Sequence, residues 1–188
     1  FSTGSDFAAN VELAEALMPQ AVAAEFETMA LFDTPDAKTI DALSKNHGIA
    51  PDTSLKTLFV EDAQGGLVAL VLRGDQQLNE IKAEKISGIS QPLRMAQESA
   101  VKIATGASFG SLGPVGLDVR IVVDRAASVL TNFVCGANEE GKHLKGVNWQ
   151  RDIPKFEVAD LRTVSAGDPS PCGTGRLQLK RGIEAGHI

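Results

Sequence analysis

The chain is poor in aromatic and sulfur-containing residues and has no long apolar run. Its 188 residues include no tyrosine, one tryptophan and two cysteines. Cys135 and Cys172 lie far apart and form no CxxC pair, which argues against a disulfide framework. No apolar stretch reaches the ~18 residues that a transmembrane helix needs, and no charged-then-apolar leader is present. These absences predict a protein of the reducing cytoplasm without a membrane partner.

Basic residues are also in short supply. The chain carries 18 Lys and Arg against 24 Asp and Glu, a formal net charge of −6. Proteins that bind nucleic acid over a broad surface usually show a basic patch or stripe. If RNA is the substrate, we therefore expect only its end to be gripped. The length and the 43% hydrophobic content are enough for one domain with a sizeable core.

The order of apolar patterns and turn signals predicts an α/β fold. Helical spacing predicts helices over 10–17, 34–48, 78–86 and 97–105. Apolar runs predict strands over 58–60, 67–72, 118–124, 132–138 and 142–148. Gln64-Gly65-Gly66 and Glu139-Glu140-Gly141 are typical of hairpin turns. Because many strands lie in hairpins, the pattern favours a mixed, mostly antiparallel sheet with surrounding helices over a doubly wound sheet.

Five short polar or glycine-rich strings indicate a functional site. They are GDQQLNEIKAEK from Gly74, GSLGPVG from Gly110, VDR from Val123, NFVCGANEEGKHLKGVNWQRD from Asn132 and DLRTVSAGDPSP from Asp160. Strings of this kind determine backbone geometry and polar contacts rather than core packing. In the second string, Gly110 and Gly113 allow backbone N–H groups to approach a ligand, and Pro114 stiffens the exit.

Together these strings resemble the editing domain that is inserted in bacterial-type prolyl-tRNA synthetases. The resemblance runs almost end to end, because FSTGSDFAANVELAEA at the start and RLQLKRGIEAGHI at the end are similar to the synthetase segments beside the insertion. It implies a flank over 1–30, an aminoacyl-tRNA editing domain over 31–166 and a return flank over 167–188. The loop 167–175, with two prolines and three glycines, suits that exit boundary.

The resemblance implies hydrolysis of the ester bond of mischarged alanyl-tRNA(Pro). The implied partners are the alanine-carrying 3′ end of tRNA(Pro) and the remainder of the parent synthetase, and no metal or cofactor is implied. A physical reason exists for such a site. A pocket shaped for proline rejects the smaller alanine by only about 1 to 3 kcal/mol, so a second pocket must remove the error.

Two positions are implied to take part in hydrolysis. Lys82 matches the lysine of the family's GDxxLNxxK string, although a lysine on a helix is more often a solvated charge. The chain departs from the common form of this string at Gln76-Gln77, where His-Glu is frequent. His143 matches a histidine that lines the family's pocket. The ester is already activated, so orientation and dipoles can suffice for its hydrolysis.

Other matched positions are implied to shape the pocket. Gly110, Gly113 and Pro114 correspond to the GxxxP loop that forms the wall of the alanyl pocket, and the backbone donors at Gly110 can stabilise an oxyanion. Asp124 matches an aspartate near that pocket. Two further residues, Leu70 and Leu72, lie on the strand that leads into the first string and are candidates for its far wall. A large apolar side chain there would exclude proline.

Three alternatives remain open. The chain could be a free-standing trans-editing protein of the same fold, or a non-catalytic insertion that supports the synthetase or binds tRNA. It could also be a serine hydrolase, since GASFG fits GxSxG around Ser108, with His143 and Asp160 as partners. A nucleophile elbow requires a strand before the serine and a helix after it, and the pattern here predicts neither. His47 and His187 have no ligand partner at metal-binding spacing, and His187 belongs to the predicted return flank.

Overall fold

A computed structural model describes residues 1–181, which form two β-sheets with short helices around them. The strands are β1 (Ala30–Asp33), β2 (Leu55–Glu61), β3 (Leu67–Arg73), β4 (Arg120–Asp124), β5 (Phe133–Gly136), β6 (Lys142–Val147) and β7 (Glu157–Ala159). The helices are α1 (Ile40–His47), α2 (Glu80–Glu84), α3 (Glu98–Thr105) and α4 (Arg125–Ser128). Residues 182–188, which include His187, lie outside the described part of the chain.

The larger sheet is mixed and the smaller one is antiparallel. The larger has the order β2-β3-β4-β7, with β2 and β3 antiparallel and the other two pairs parallel. The smaller has the order β1-β6-β5. Three of the five strand pairs are therefore antiparallel, and the predicted mixed, mostly antiparallel fold is confirmed. The hairpin turns at 64–66 and 139–141 also lie between paired strands as predicted.

The two faces of the larger sheet belong to different cores. On one face, Phe59 and Val71 pack with Phe133 of the smaller sheet. On the opposite face, Leu72 packs with Ala83 of α2. Successive side chains of a strand point to opposite faces, so neighbouring residues enter different cores. Consequently, groups carried by α2 and groups carried by the smaller sheet lie on opposite sides of the larger sheet.

The helix that was predicted over 34–48 starts later. α1 begins at Ile40, and its N-cap is Thr39, whose Oγ1 accepts a hydrogen bond of 3.1 Å from the Ala42 N–H. The Thr34 side chain forms a hydrogen bond with β6 instead. The end is as predicted, because Gly48 at the C-cap takes the left-handed conformation with φ of 68°. The side-chain hydrogen bond identifies the N-cap residue. The sequence pattern alone does not show whether Thr34 or Thr39 forms that bond.

The prediction of a helix over 10–17 is wrong. This stretch contains only a turn, in which the Asn10 carbonyl accepts from the Leu13 and Ala14 N–H groups. A helix as short as eight residues is not stable without extensive packing of one face. Here Ala14 and Ala16 pack with Leu177. In the described residues no helix is long and apolar enough to cross a membrane.

The N-terminal and C-terminal segments of the described chain lie against each other. Ser2 and Leu177 form an isolated antiparallel bridge, and the Gln178 N–H donates to the Phe1 carbonyl at 2.7 Å. Val164 joins the small apolar cluster between these segments. The predicted flanks thus contact one another, while their boundaries at 30 and 167 stay predictions.

Gly113 offers a test of how closely the loop after α3 packs on the smaller sheet. A Cβ at this residue would lie 1.9 Å from the Gly136 carbonyl oxygen, and backbone cannot move aside cheaply. We expect Gly113→Ala to lower the free energy of unfolding by about 3 kcal/mol or more. Gly65→Ala is the control, because a Cβ there meets nothing within 4 Å and costs only about 1 to 2 kcal/mol of backbone strain. Urea denaturation measures both; equal losses would contradict the close contact.

Candidate active site

A pocket of about 350 Å³ opens beside α1, the outer edge of β2 and the loop 106–113. Its volume is near the lower end of the roughly 300–1,000 Å³ that small-molecule sites occupy. Most of its wall is apolar and includes Leu43, Phe59 and Leu112. The polar side chains among its lining residues are Lys38, Thr39, Lys56, Thr57 and His143. The pocket therefore suits a small, largely apolar group that carries a polar end.

The outer edge of β2 is paired at both ends and open between them. Ser54 bridges to Val134, and Val60 bridges to Met95. The Phe59 carbonyl accepts from the Ala96 N–H at 2.9 Å, so backbone groups of odd-numbered residues in β2 point away from β3. The N–H and C=O of Thr57 thus face the open stretch of edge that lines the pocket. An unpaired strand edge is a ready backbone donor and acceptor for a ligand.

Thr57 also has an unpaired side chain. The residue is only 7% exposed, and its Oγ1 has no hydrogen-bond partner in the described residues. A buried hydroxyl without a partner costs free energy, typically about 1 to 3 kcal/mol. A ligand with a donor or acceptor in the pocket would satisfy it. The Thr57 side chain is therefore available to a substrate, beside a stretch of β2 edge that carries no bridge within residues 1–181.

Lys56 is one of the residues that line this pocket, at the open outer edge of β2. It is half-buried and forms no ion pair with an acidic residue in the described part of the chain. Burial lowers the pKa of its ammonium group, against a weaker opposing effect of Asp75. A partly desolvated cation stabilises negative charge more strongly than a solvated one. Lys56 can therefore stabilise an oxyanion in the pocket.

His143 lies in β6 and lines the same pocket. It is 6% exposed, and its Nδ1 forms a hydrogen bond of 2.5 Å with Thr34 Oγ1. Burial, and to a smaller extent the charge of His47, lowers the pKa of His143 below its ordinary value of 6.5. The ring is therefore neutral at pH 7. Its Nε2 makes no hydrogen bond within residues 1–181, so this nitrogen is available to a ligand or water.

The loop after α3 forms one wall of the pocket through Gly110. This glycine has φ of +100°, and a Cβ there would lie 2.8 Å from the Lys38 Cα. Gly113 does not line the pocket; its carbonyl and N–H are both bonded to the Asn138 side chain. Pro114 is buried behind it. Gly110 is thus the residue of the predicted GxxxP loop that reaches the cavity, and the other two hold the loop in place.

Lys82 is not in the pocket. It lies on α2, on the opposite face of the larger sheet, and is 7% exposed. Its Nζ donates to Asp160 at 2.9 Å and to the Arg162 carbonyl at 2.9 Å. The same carboxylate accepts from the Ala16 N–H at 3.0 Å. In this structure Lys82 therefore helps to hold the N-terminal segment against the domain.

Three other predicted pocket residues also lie elsewhere. Leu70 and Leu72 are fully buried in the core beside α2, and neither lines the pocket. Asp124 is buried and caps α4 by accepting from the Ala126 N–H at 2.9 Å; it also accepts from the Leu161 N–H. Burial raises the pKa of its carboxyl group, against the effect of these two backbone bonds.

The serine-hydrolase arrangement is not assembled. Ser108 follows the C-cap of α3 at Gly106 rather than a strand, and no helix follows it. Asp160 is paired with Lys82 on the other side of the sheet, and His143 bonds to Thr34. Without a strand before the serine, its side chain is not presented as in a nucleophile elbow. Among residues 1–181 no group of three or more His, Cys, Asp or Glu side chains is placed to hold a metal ion.

Sequence reasoning missed Lys56 and Thr57. The available signal was the alternation in LKTLF, where Leu55, Thr57 and Phe59 share one face of a strand. A lysine and a threonine inside such a strand are unusual for a buried position. That alternation did not indicate that the outer edge of this strand is open, which only the pairing of the sheets decides.

The fold and the site together define the class of this protein. It is an α/β domain with a small apolar pocket, which is lined by a lysine, a neutral histidine and an unpaired strand edge. A family model for the aminoacyl-tRNA editing domain matches residues 34–153. The chain belongs to this family, whose activity is deacylation of aminoacyl-tRNA. The matched range contains α1, the three pocket-lining strands β2, β5 and β6, and the loop with Gly110.

Solved structures show the same fold. The crystal structure of the hypothetical protein APE2540 is 27% identical, with a TM-score of 0.60 over 72% of this chain and 91% of that one. A candidate trans-editing enzyme for prolyl tRNA synthetase is 19% identical, with a TM-score of 0.60 over 71% of this chain and 86% of that one. A signal-transduction candidate from Marinobacter aquaeolei VT8 is 18% identical, with a TM-score of 0.52, and only 28% of it is covered.

The buried ion pair of Lys82 leads to a prediction about the stability of the fold. Replacing one partner of a buried ion pair leaves the other charge unpaired, which costs about 3 kcal/mol or more. We therefore expect Lys82→Met to lower the free energy of unfolding by about that amount. Lys85→Met, on the exposed side of the same segment, is the control and should change little. Urea denaturation at pH 7 compares them, and a Lys82→Met protein as stable as the control would contradict the structural role.

Proposed function

We propose that this domain hydrolyses the ester bond of alanyl-tRNA(Pro) as the editing insertion of a proline–tRNA ligase. The single observation that carries the chemistry is the pocket in which Lys56, Thr57 and His143 meet an open strand edge. The alanine and prolyl-tRNA assignments are supported by the motif resemblance. They are also supported by likeness to a candidate trans-editing enzyme for prolyl tRNA synthetase.

The proposed reaction uses water and no covalent enzyme intermediate. The alanyl group enters the pocket, and its α-amino group bonds to the free Thr57 carbonyl or hydroxyl. His143 with a proton on Nδ1, donated to Thr34, has Nε2 free to accept a proton from the attacking water. Water adds to the ester carbon, and the C–O bond to the ribose then breaks. The ribose oxygen takes up the proton, which gives free alanine and tRNA.

Lys56 is the proposed electrostatic catalyst. Attack on the ester places negative charge on the former carbonyl oxygen, and the Lys56 ammonium group together with the Thr57 N–H can stabilise it. Lys82, the lysine that the motif indicated, remains a candidate only if its ion pair with Asp160 opens. Breaking a buried pair is costly, and the larger sheet separates α2 from the pocket. Lys56 is therefore the preferred candidate for the electrostatic catalyst.

Substitution of each lysine in turn distinguishes the two candidate catalysts. We expect Lys56→Ala to reduce the rate of alanyl-tRNA(Pro) hydrolysis by about 100-fold or more, because a group that stabilises an oxyanion is lost. We expect Lys82→Met to reduce it only in proportion to the unfolded fraction. Rates are measured under single-turnover conditions, after circular dichroism has established the folded fraction. Loss of activity in folded Lys82→Met with normal activity in Lys56→Ala would reverse the assignment.

The rigid wall at Gly110 supports selection by size. Leu43 and Phe59 contribute large apolar side chains, while Gly110 closes the wall where it touches Lys38. Alanine has a smaller side chain than proline, so a rigid pocket of this kind can admit the first and exclude the second. The close contact of Gly110 with backbone makes that wall difficult to displace.

Substitution of Gly110 tests this size selection. We expect Gly110→Ala to lower kcat/KM for alanyl-tRNA(Pro) about tenfold or more, because the new methyl group must displace the wall. Gly106→Ala is the matched control, since Gly106 also has a positive φ of 87° but its nearest neighbour to a Cβ is 3.8 Å away. Leu43→Ala should conversely admit prolyl-tRNA(Pro). Normal alanyl hydrolysis by Gly110→Ala, with no prolyl hydrolysis by Leu43→Ala, would contradict selection at this wall.

The insertion context rests on the resemblance of the two flanks, for which we propose the boundaries 1–30, 31–166 and 167–188. The contacts of Ser2 with Leu177 and of Phe1 with Gln178 support it, because an inserted domain needs entry and exit segments that lie together. A free-standing trans-editing protein is the second candidate. It is favoured by the high coverage of the matched crystal structures, 91% and 86%.

Two measurements test these proposals. Deacylation of alanyl-tRNA(Pro) by the purified chain tests the reaction, and tRNA binding without any hydrolysis would favour a non-catalytic insertion. An antibody against the domain, applied to an extract of the source cells, tests the context. A band of synthetase size supports the insertion, and a band of about the domain's own 19.8 kDa overturns it in favour of a free-standing enzyme.

A further inference from the structure

Phe109 stands out among the exposed aromatic side chains. Three phenylalanines in the described residues are about half exposed or more, namely Phe1 at 53%, Phe26 at 57% and Phe109 at 49%. Lys180 lies over the ring of Phe1, and Arg151 lies over the ring of Phe26. The ring of Phe109 has no aromatic or cationic partner within residues 1–181. It is therefore an aromatic surface available to a ligand.

This ring belongs to the wall of the pocket. Phe109 and the half-exposed Met95 are both lining residues, as is the adjacent Gly110. A side chain that both lines a cavity and remains exposed lies at its mouth. A ligand that fills the pocket and continues outward would pass beside Phe109.

The backbone beneath the ring is held firmly. The Phe109 N–H donates to Glu98 at 3.2 Å, and the Ser108 N–H donates to Glu140 at 2.8 Å. Gly110 adds its close contact with Lys38. An aromatic side chain on a rigid backbone loses little conformational entropy when it binds, so its contact contributes more to affinity.

Lys38 places a positive charge at the mouth of the pocket despite the net charge of the chain. Lys38 is exposed and lines the pocket. The carboxylate of Glu140 has a lowered pKa, first because of its bond to Ser108 and then through the charges of Lys102 and Lys38. Both lysines are therefore near the loop that carries Phe109. Glu98 and Glu140 accept from the backbone N–H groups of Phe109 and Ser108, which holds their carboxylates against that loop.

We propose that Phe109 is a stacking platform for the terminal adenine of the tRNA 3′ end, with Lys38 close to the adjoining phosphate. The inference rests on the proposed function, in which the aminoacyl ester occupies the pocket. The ester is attached to the terminal ribose, so the base of that nucleoside must lie just outside, where Phe109 is. Stacking on an aromatic ring is the usual way in which a protein holds an unpaired base. Phe109 is thus a positioning residue rather than a catalytic one.

The test compares two trinucleotides that differ only in the last base. One is CCA, and the other carries an abasic ribose at its 3′ position. Wild-type protein should bind CCA roughly 5- to 100-fold more tightly than the abasic form. Phe109→Leu keeps an apolar side chain but loses the aromatic face, and should remove this preference, while Phe109→Trp should retain it. Calorimetry or NMR titration gives the affinities.

Ile103→Ala is the control, because Ile103 is 88% exposed and is not a lining residue; it should keep the wild-type preference. The proposal is overturned if the wild type does not distinguish the two trinucleotides, or if folded Phe109→Leu still does. The first result would favour a protein partner at this surface, and the second would show that another residue holds the adenine. Hydrolysis of alanyl-tRNA(Pro) is measured separately. If the protein prefers CCA but does not hydrolyse alanyl-tRNA(Pro), only the proposed function is contradicted. If it hydrolyses alanyl-tRNA(Pro) but shows no base preference, only the stacking role of Phe109 is contradicted.

Discussion

The open outer edge of β2 is the constraint on which the site depends. Bridges at Ser54 and Val60 close the two ends of this edge, and the residues between them face a cavity instead of a neighbouring strand. Backbone groups without partners in a largely apolar environment cost free energy. The fold tolerates that cost in one short stretch, and a bound ligand can recover it. The Thr57 Oγ1, which has no hydrogen-bond partner among residues 1–181, lies at the same place.

Around this edge the domain separates its polar groups into two sets. Lys56 and His143 lie at the pocket, where burial shifts the pKa of each toward the neutral form. Lys82 and Asp160 lie beyond the larger sheet, fully paired, and join α2 to the N-terminal segment. The first set has free capacity for a ligand and the second has none. Available polar capacity, rather than the presence of charge, is therefore what distinguishes the candidate active site from a structural cluster.

Rigidity on the other side of the pocket comes from backbone packed on backbone. Gly113 touches Gly136, and Gly110 touches Lys38, at separations that no larger residue would allow. The Asn138 side chain ties the same loop to the strand beside it through both its amide and its carbonyl. A wall made in this way can discriminate by volume. It also carries Phe109 in a defined position at the pocket mouth.

Local pattern alone determined most of the strands and helices of this protein and their order, though not β1, β7 or α4. Apolar runs predicted β2 to β6, and the glycine-containing turns at 64–66 and 139–141 predicted their hairpins, because these signals depend only on neighbouring residues. The glycine-rich string from Gly110 made that glycine a candidate and the family resemblance added His143, and both line the pocket. Tertiary structure decided which of the lysines reaches the pocket. Lys56 and Lys82 look alike in sequence, and only the pairing of strands and the side of the sheet on which α2 packs separates them.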